Sequence, residues 1–211
     1  MGYHFTKEEQ LAIVELARKY KCIIFCDEVY RELEQKPAYA IPAIADVYEY
    51  GVSLGVMSKA YGLPGLRIGW LATKQAEILE KVAILKEYTT ICSSAPSEFL
   101  AGVALRNRGN ILARNLEIVQ NNLELLEPFF ETYSDYFSWY KPVAGPVSFV
   151  KMNFEGDDLA FAEKVIREKN VLLLPGEVFD YRGYFRLGFG RKGMPEALIY
   201  FEEFVIENLV K

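Results

Sequence analysis

Ser58-Lys59-Ala60-Tyr61-Gly62-Leu63-Pro64-Gly65-Leu66-Arg67-Ile68-Gly69-Trp70 sets one amine beside a glycine-rich turn and one guanidinium eight residues further on. The residues before it, 52–57, are largely apolar and read as a buried strand that delivers Lys59 at its end. An amine withdrawn from water at such a point is favoured as the free base, the form that attacks an aldehyde, so Lys59 is a candidate for covalent attachment of a carbonyl cofactor. Upstream, Cys26-Asp27-Glu28-Val29-Tyr30 closes a second apolar run, residues 22–26, and brings an acid and a phenol to a strand end in the same way. The two segments read as one pocket.

Working outward, Thr6 followed by Glu9 is a capping-box pattern, and Ile13, Leu16, Ala17 and Tyr20 supply an apolar helical face that ends among Arg18, Lys19 and Lys21. The run 22–26 is apolar throughout, as expected of a strand covered on both faces. With 52–57 and 67–73 it gives three buried strands separated by helices and loops, an α/β sheet. Ile78, Val82 and Leu85 predict a helix over 75–88. Pro96 opens a second, longer one in which Gly109 invites a bend, and 116–126 continues with helical periodicity until Pro128. Composition then shifts to the aromatic-rich segment 129–140. Beyond it the pattern predicts a strand over 147–152, a helix capped by an acid over 157–168, strands over 171–174 and 184–189, and a final helix opened by Pro195. This later part reads as a smaller α/β module.

The totals narrow the function. Apolar residues make up 51% and charged residues 25% of the 211, a composition that argues for a packed core and against disorder. A net charge of −5 with interleaved signs leaves no broad positive field, so nucleic acid is not an expected partner. Three cysteines, Cys22, Cys26 and Cys92, without regular spacing suggest a reducing cytoplasm rather than a disulfide framework, and a single histidine, His4, argues against a Cys/His metal site. No charged leader and no uninterrupted apolar run of about 20 residues is seen, which points to a soluble protein without a membrane span.

On Asp27 and Tyr30, the Ser58-Lys59 run with its glycine turn and Arg67, and a late arginine in an Arg186-Leu187 context, the whole chain resembles the fold type I pyridoxal-phosphate enzymes, specifically the class I/II aminotransferases. The resemblance implies part of that fold's large-domain sheet over 1–95, connecting helices over 96–127 and a small α/β domain over 128–211. It implies pyridoxal 5'-phosphate as cofactor, with Lys59 as the Schiff-base lysine, Asp27 at the pyridine nitrogen, Tyr30 at the ring hydroxyl and Arg67 at the phosphate. Arg186 then receives the substrate carboxylate, with Arg182 and Arg191 as neighbouring candidates. An amino acid and a 2-oxo acid are the implied substrates, and a homodimer the implied assembly. Tyr61, Trp70 and the aromatics of 129–140 read as packing groups.

Two positions depart from the family pattern. Val56 stands three residues before the lysine, where many members carry a serine or threonine at the phosphate. Gly2 matches the last glycine of the family's Asn-Pro-x-Gly motif, so the half of the cofactor shell that precedes it in the family is expected to be absent and the isolated chain to have weak or no activity. A lyase, decarboxylase or racemase built on the same carbanion stays open, as does a non-catalytic fragment or assembly module.

Overall fold

The structure, a computed structural model, describes residues 3–210; Gly2 and its motif match lie outside them. Among the described residues it contains seven α-helices and two sheets, a mixed α/β architecture. They group into two compact units, one of residues 5–115 and one of residues 116–210 with 3–4.

The first unit opens with α1 (Lys7–Tyr20), whose N-terminus carries the expected reciprocal cap: Glu9 N–H donates to Thr6 Oγ1 at 3.1 Å and Thr6 N–H to Glu9 Oε2 at 2.8 Å. Lys21 adopts φ 52 to end the helix, and Cys22 N–H bonds back to Ala17 O. That cap holds residue 22, so the first strand, β1 (Ile24–Asp27), starts two residues later than the apolar run suggests. It is followed by the single-turn α2 (Ile44–Val47) and β2 (Gly51–Val56), and then by β3 (Gly69–Thr73). The strand order is β1-β2-β3, with β1 and β2 parallel and β2 and β3 antiparallel.

One face of this sheet is packed: Ile24 and Cys26 meet Val14 and Ala17 of α1, Ile44 of α2, and Tyr48, whose hydroxyl donates to Cys22 O at 2.6 Å. The other face of β1 is not. Ile23 and Phe25 are each 59% exposed, so the expectation of a strand covered on both sides is corrected here: β1 is an edge strand, and alternate residues of its apolar run face water. On the central strand Gly55 is required by Trp70 of β3, since a Cβ added there would lie 2.4 Å from the indole ring; Trp70 in turn packs edge-on against buried Tyr61 at 6.2 Å. After β3 come α3 (Ala76–Thr89) and α4 (Ala95–Arg106). The next helix, α5 (Arg108–Thr132), begins in this unit and continues in the second. The expected connecting segment 96–127 is made of α4 and most of α5.

In the second unit β4 (Phe137–Trp139), β5 (Val147–Met152), β6 (Leu174–Pro175) and β7 (Tyr184–Gly188) form an antiparallel sheet of order β4-β5-β7-β6. Two helices, α6 (Asp158–Lys169) and α7 (Met194–Asn208), pack on it. Asp157 caps α6 by accepting Ala160 N–H at 2.7 Å, as its acid signal predicts. Buried Asp158 accepts the N–H groups of Glu177 (2.7 Å) and Gly183 (3.3 Å), tying the helix to the turn before β7. Most of the aromatic segment is core: Phe129, Phe130, Tyr133 and Phe137 are buried with Phe161, Phe185, Phe201 and Phe204, Tyr136 and Trp139 pack against them, and Tyr140 is exposed.

Candidate cofactor site

Because β1 and β2 are parallel neighbours, their C-terminal ends open on one edge of the sheet, where open α/β sheets place their ligands. Asp27 is the last residue of β1, paired with Leu54, and Glu28 N–H donates to Leu54 O at 3.0 Å to continue the ladder. On the other side β2 ends at Val56, three residues before Lys59. The two loops are joined directly, since Ala60 N–H donates to Val29 O at 3.2 Å. Lys59 and the segment Asp27 to Tyr30 therefore stand on adjoining loops of one rim.

The lysine loop is a closed turn. Met57 N–H donates to Ile68 O (3.0 Å), Leu63 N–H to Met57 O (2.9 Å) and Gly62 N–H to Lys59 O (2.9 Å). Gly62 sits at φ +66 and Arg67 at φ 53, both in the left-handed region, which turns the chain back into β3. Within the turn Met57, Ala60 and Tyr61 are buried, and Lys59 is the exposed member among them. Its amine has no hydrogen bond or ion pair among the described residues. The apolar surround expected for the amine is accordingly not supplied by residues 3–210: the strand before it is buried, but its own position faces the open edge beside β1. Arg67 lies on the far arm of the same loop, exposed, with one guanidinium N–H given to Pro64 O at 3.1 Å and the rest of its fork without a partner among the described residues.

Asp27 Oδ1 accepts Val29 N–H at 3.2 Å, a local turn bond that leaves the other carboxylate oxygen available. The residue after it is the one that sequence reasoning passed over. Glu28 Oε1 accepts both Ile44 N–H (2.8 Å) and Ser53 Oγ–H (2.9 Å), and Oε2 lies 3.6 Å from Arg31, so this carboxylate fastens the end of β1 to α2 and to β2. Glu28 was visible beside Asp27, but its partners lie 16 and 25 residues away in the chain and no local pattern announces them.

Cys26 faces the packed side. Burial, and then the neighbouring Glu28 carboxylate, push its thiol up to about 11. Its thiolate at neutral pH is on the order of a hundredfold scarcer than that of an ordinary thiol, which removes it as a nucleophile for the site. Iodoacetamide at neutral pH is therefore expected to modify exposed Cys22 and Cys92 well before Cys26. A peptide-mass time course in which Cys26 is alkylated as early as Cys22 contradicts this.

Arg186 lies in the second unit, in β7, opposite Phe149 of β5 and Leu174 of β6. Its guanidinium stands 5.7 Å from the centre of the Phe179 ring and has no acidic partner among the described residues. Arg182 differs, being 3.9 Å from Glu177 in an exposed ion pair. Arg186 and Arg191 both line an apolar cavity of about 690 Å³ with Leu172, Leu187 and Met194. The loop that carries Arg191 is held from α5, where buried Asn122 donates to Phe189 O (2.7 Å) and Arg191 O (2.9 Å).

The model of the family described as aminotransferase class I and II matches residues 1–199. Aspartate aminotransferase of Thermotoga maritima is 24% identical over 97% of this chain and 53% of its own. Among solved structures, a PLP-dependent aminotransferase from Streptococcus suis superposes with a TM-score of 0.90 at 31% identity, over 98% of this chain and 55% of that one. A PLP-dependent cyclase, OrfR, superposes at 0.89 with 25% identity, over 98% and 56%. The chain thus spans about half the length of the relatives it matches. No helix among the described residues is long and apolar enough to cross a membrane.

Proposed function

Because the chain belongs to the class I and II aminotransferases, we propose that it supplies the lysine-bearing part of a pyridoxal 5'-phosphate site that moves an amino group between an amino acid and a 2-oxo acid. The observation that carries this reading is the Ala60 N–H to Val29 O bond of 3.2 Å, which sets Lys59 beside Asp27 and Tyr30 at the end of two parallel strands. The donor set suits the cofactor: an unpaired amine for its aldehyde, a carboxylate for its ring nitrogen, a phenol for its ring oxygen and a planar guanidinium for its phosphate.

When bound, the cofactor supplies an electron sink for negative charge at the substrate α-carbon. The side chains do the rest. Lys59 Nζ would hold the cofactor and, as a free amine, would carry a proton between the substrate α-carbon and the cofactor carbon. Asp27 would hold a proton on the ring nitrogen, Tyr30 would give its hydroxyl hydrogen bond to the ring oxygen, and Arg67 would pair with the phosphate. Val56 brings no hydroxyl to that phosphate. Arg186, aligned by β7, pairs with the substrate carboxylate. By the same reading the protein is a cytoplasmic homodimer acting on small-molecule acids, and light scattering on the purified chain tests the assembly.

Since the chain has about half the length of its relatives, capture of cofactor is the direct test, and turnover the later one. Incubation with pyridoxal phosphate, reduction with borohydride and peptide mapping are expected to find the label on Lys59. Label spread over surface lysines with none favoured refutes the reading. Asp27→Asn is expected to weaken cofactor retention roughly tenfold to a hundredfold, the loss of a hydrogen bond to a charged group. Unchanged retention in a titration followed by absorbance would remove Asp27 from the ring nitrogen.

The likeness to a cyclase favours one second reading, a different reaction of the same carbanion. Product analysis separates them: a 2-oxo acid with pyridoxamine phosphate marks transfer, and a cyclised or eliminated product with unchanged cofactor marks the alternative.

A further inference from the structure

The peptide that follows Lys59 is held from both sides. Ala60 is buried; its N–H goes to Val29 O, and its carbonyl accepts the side-chain amide of Asn115, Nδ2 to O 2.8 Å. Asn115 stands on α5 within the first unit, 55 residues away in the chain, and its own Oδ1 accepts from Arg114 Nη1 at 3.3 Å, which orients the amide with its N–H groups toward the loop. The approach is close: a Cβ added at Gly62 would lie 3.3 Å from the same Nδ2, so the left-handed glycine both turns the loop and makes room for the carboxamide. A second link runs parallel to it, from Arg108 of α5 to Glu32 at 3.8 Å in the loop after β1. Burial, and then Glu32, raise the phenol of Tyr61 above its ordinary value, so it remains a neutral packing group under Lys59 rather than a charged one.

We propose that Asn115 is a positioning residue for Lys59: by holding the Ala60 carbonyl it fixes the turn that presents the amine at the shared rim of β1 and β2. The inference rests on the reading of Lys59 as the cofactor lysine. The physical reason is that Ala60 is buried, so without the carboxamide its carbonyl is an unmet acceptor, and the turn gains by opening to water. An opened turn keeps the lysine but spreads its amine over many positions, and reaction with an aldehyde held by Asp27, Tyr30 and Arg67 falls with the fraction of time the amine spends in place.

The test compares the wild-type chain with Asn115→Ala, which removes the donor, and Asn115→Asp, which keeps the shape and sets a carboxylate against the Ala60 oxygen. Hydrogen exchange of the Ala60 and Gly62 amides needs no cofactor, and is expected to quicken roughly tenfold in both variants, the factor for one lost hydrogen bond, with the amides of β3 unaffected. Capture of pyridoxal phosphate at Lys59, read by borohydride reduction and peptide mass, is expected to slow by a similar factor at temperatures where all three proteins are fully folded by circular dichroism. Unaltered exchange at Ala60 and Gly62 overturns the proposal. So does a general rise in exchange through β2 and β3 with an undiminished rate of capture, the signature of a residue that only stabilises the fold. If the wild-type chain captures no cofactor at Lys59, the reading of Lys59 fails first and this inference falls with it, an outcome told apart by the wild-type arm alone.

Discussion

Lys59→Ala is expected to abolish covalent capture of pyridoxal phosphate altogether, with the change in cofactor absorbance and the reduced Lys59 adduct both gone, while the fold persists. The effect is large because the bond to the aldehyde is made by this amine. Among the described residues Lys59 is the lysine on the loop that the Ala60 to Val29 bond joins to Asp27 and Tyr30. Lys74, the next lysine in the chain, is engaged with Asp46 O at 2.9 Å beyond β3. The fold persists because the Lys59 side chain has no ion pair or hydrogen bond among the described residues to lose and is exposed, and such surface changes shift stability by about 0.5 kcal/mol or less. Arginine in the same place keeps the charge but offers no free amine, and is expected to fail as completely. A Lys59→Ala protein that still forms a reducible adduct in the same yield places the cofactor elsewhere.

Phe185→Ala is expected to cost the second unit about 3–5 kcal/mol, the range for truncating a fully buried phenylalanine. Phe185 is wholly buried in β7, with its ring centre 5.7 Å from that of Phe137, 5.8 Å from Phe161 and 5.9 Å from Phe201. Rings from β4, α6 and α7 thus converge on one side chain, and its removal leaves a void lined by groups anchored in three different elements, which limits collapse. Against a whole-domain stability of about 5–15 kcal/mol this is a large share, and urea unfolding of the variant measures it. A loss below about 1 kcal/mol would mean that the ring cluster is not the core of this unit. The same change bears on the site, because Arg186 follows Phe185 on the opposite face of β7 and takes its direction from that strand.

Much of the fold was legible because its signals are local. Thr6 with Glu9, and Asp157 before α6, satisfy helix-end N–H groups within three residues, so no distant partner is needed to recognise them. Residues 147–152 form β5 with the expected bounds, and Ser148, Val150 and Met152 are its buried positions. Gly109 is a different case. A bend was expected there, but the helices part at Asn107, whose side chain bonds to Val103 O at 2.8 Å and competes with the backbone for that carbonyl. Pro128 was expected to end a helix, yet α5 runs through it to Thr132, since the missing N–H costs one bond and the burial of Phe129 and Phe130 on the next turn offsets it. The strand expected over 171–174 shrinks to Leu174–Pro175, because pairing is available only where β7 lies alongside.

From residues alone came an amine, an acid, a phenol and the Arg67 guanidinium, each at the end of an apolar run or in a glycine-bearing turn, while Arg186, within β7, came from the family resemblance. Those choices depend on neighbours a few positions away, and short-range sterics and solvation are written into the order of the side chains. Only the folded chain decided which ends face one another, that Glu28 turns inward to Ile44 and Ser53, that Asn115 reaches Ala60, and that β1 leaves Ile23 and Phe25 in water. Contacts of that kind join positions tens of residues apart, and their partners are selected by how the strands and helices pack, a cooperative outcome that no single stretch of sequence contains.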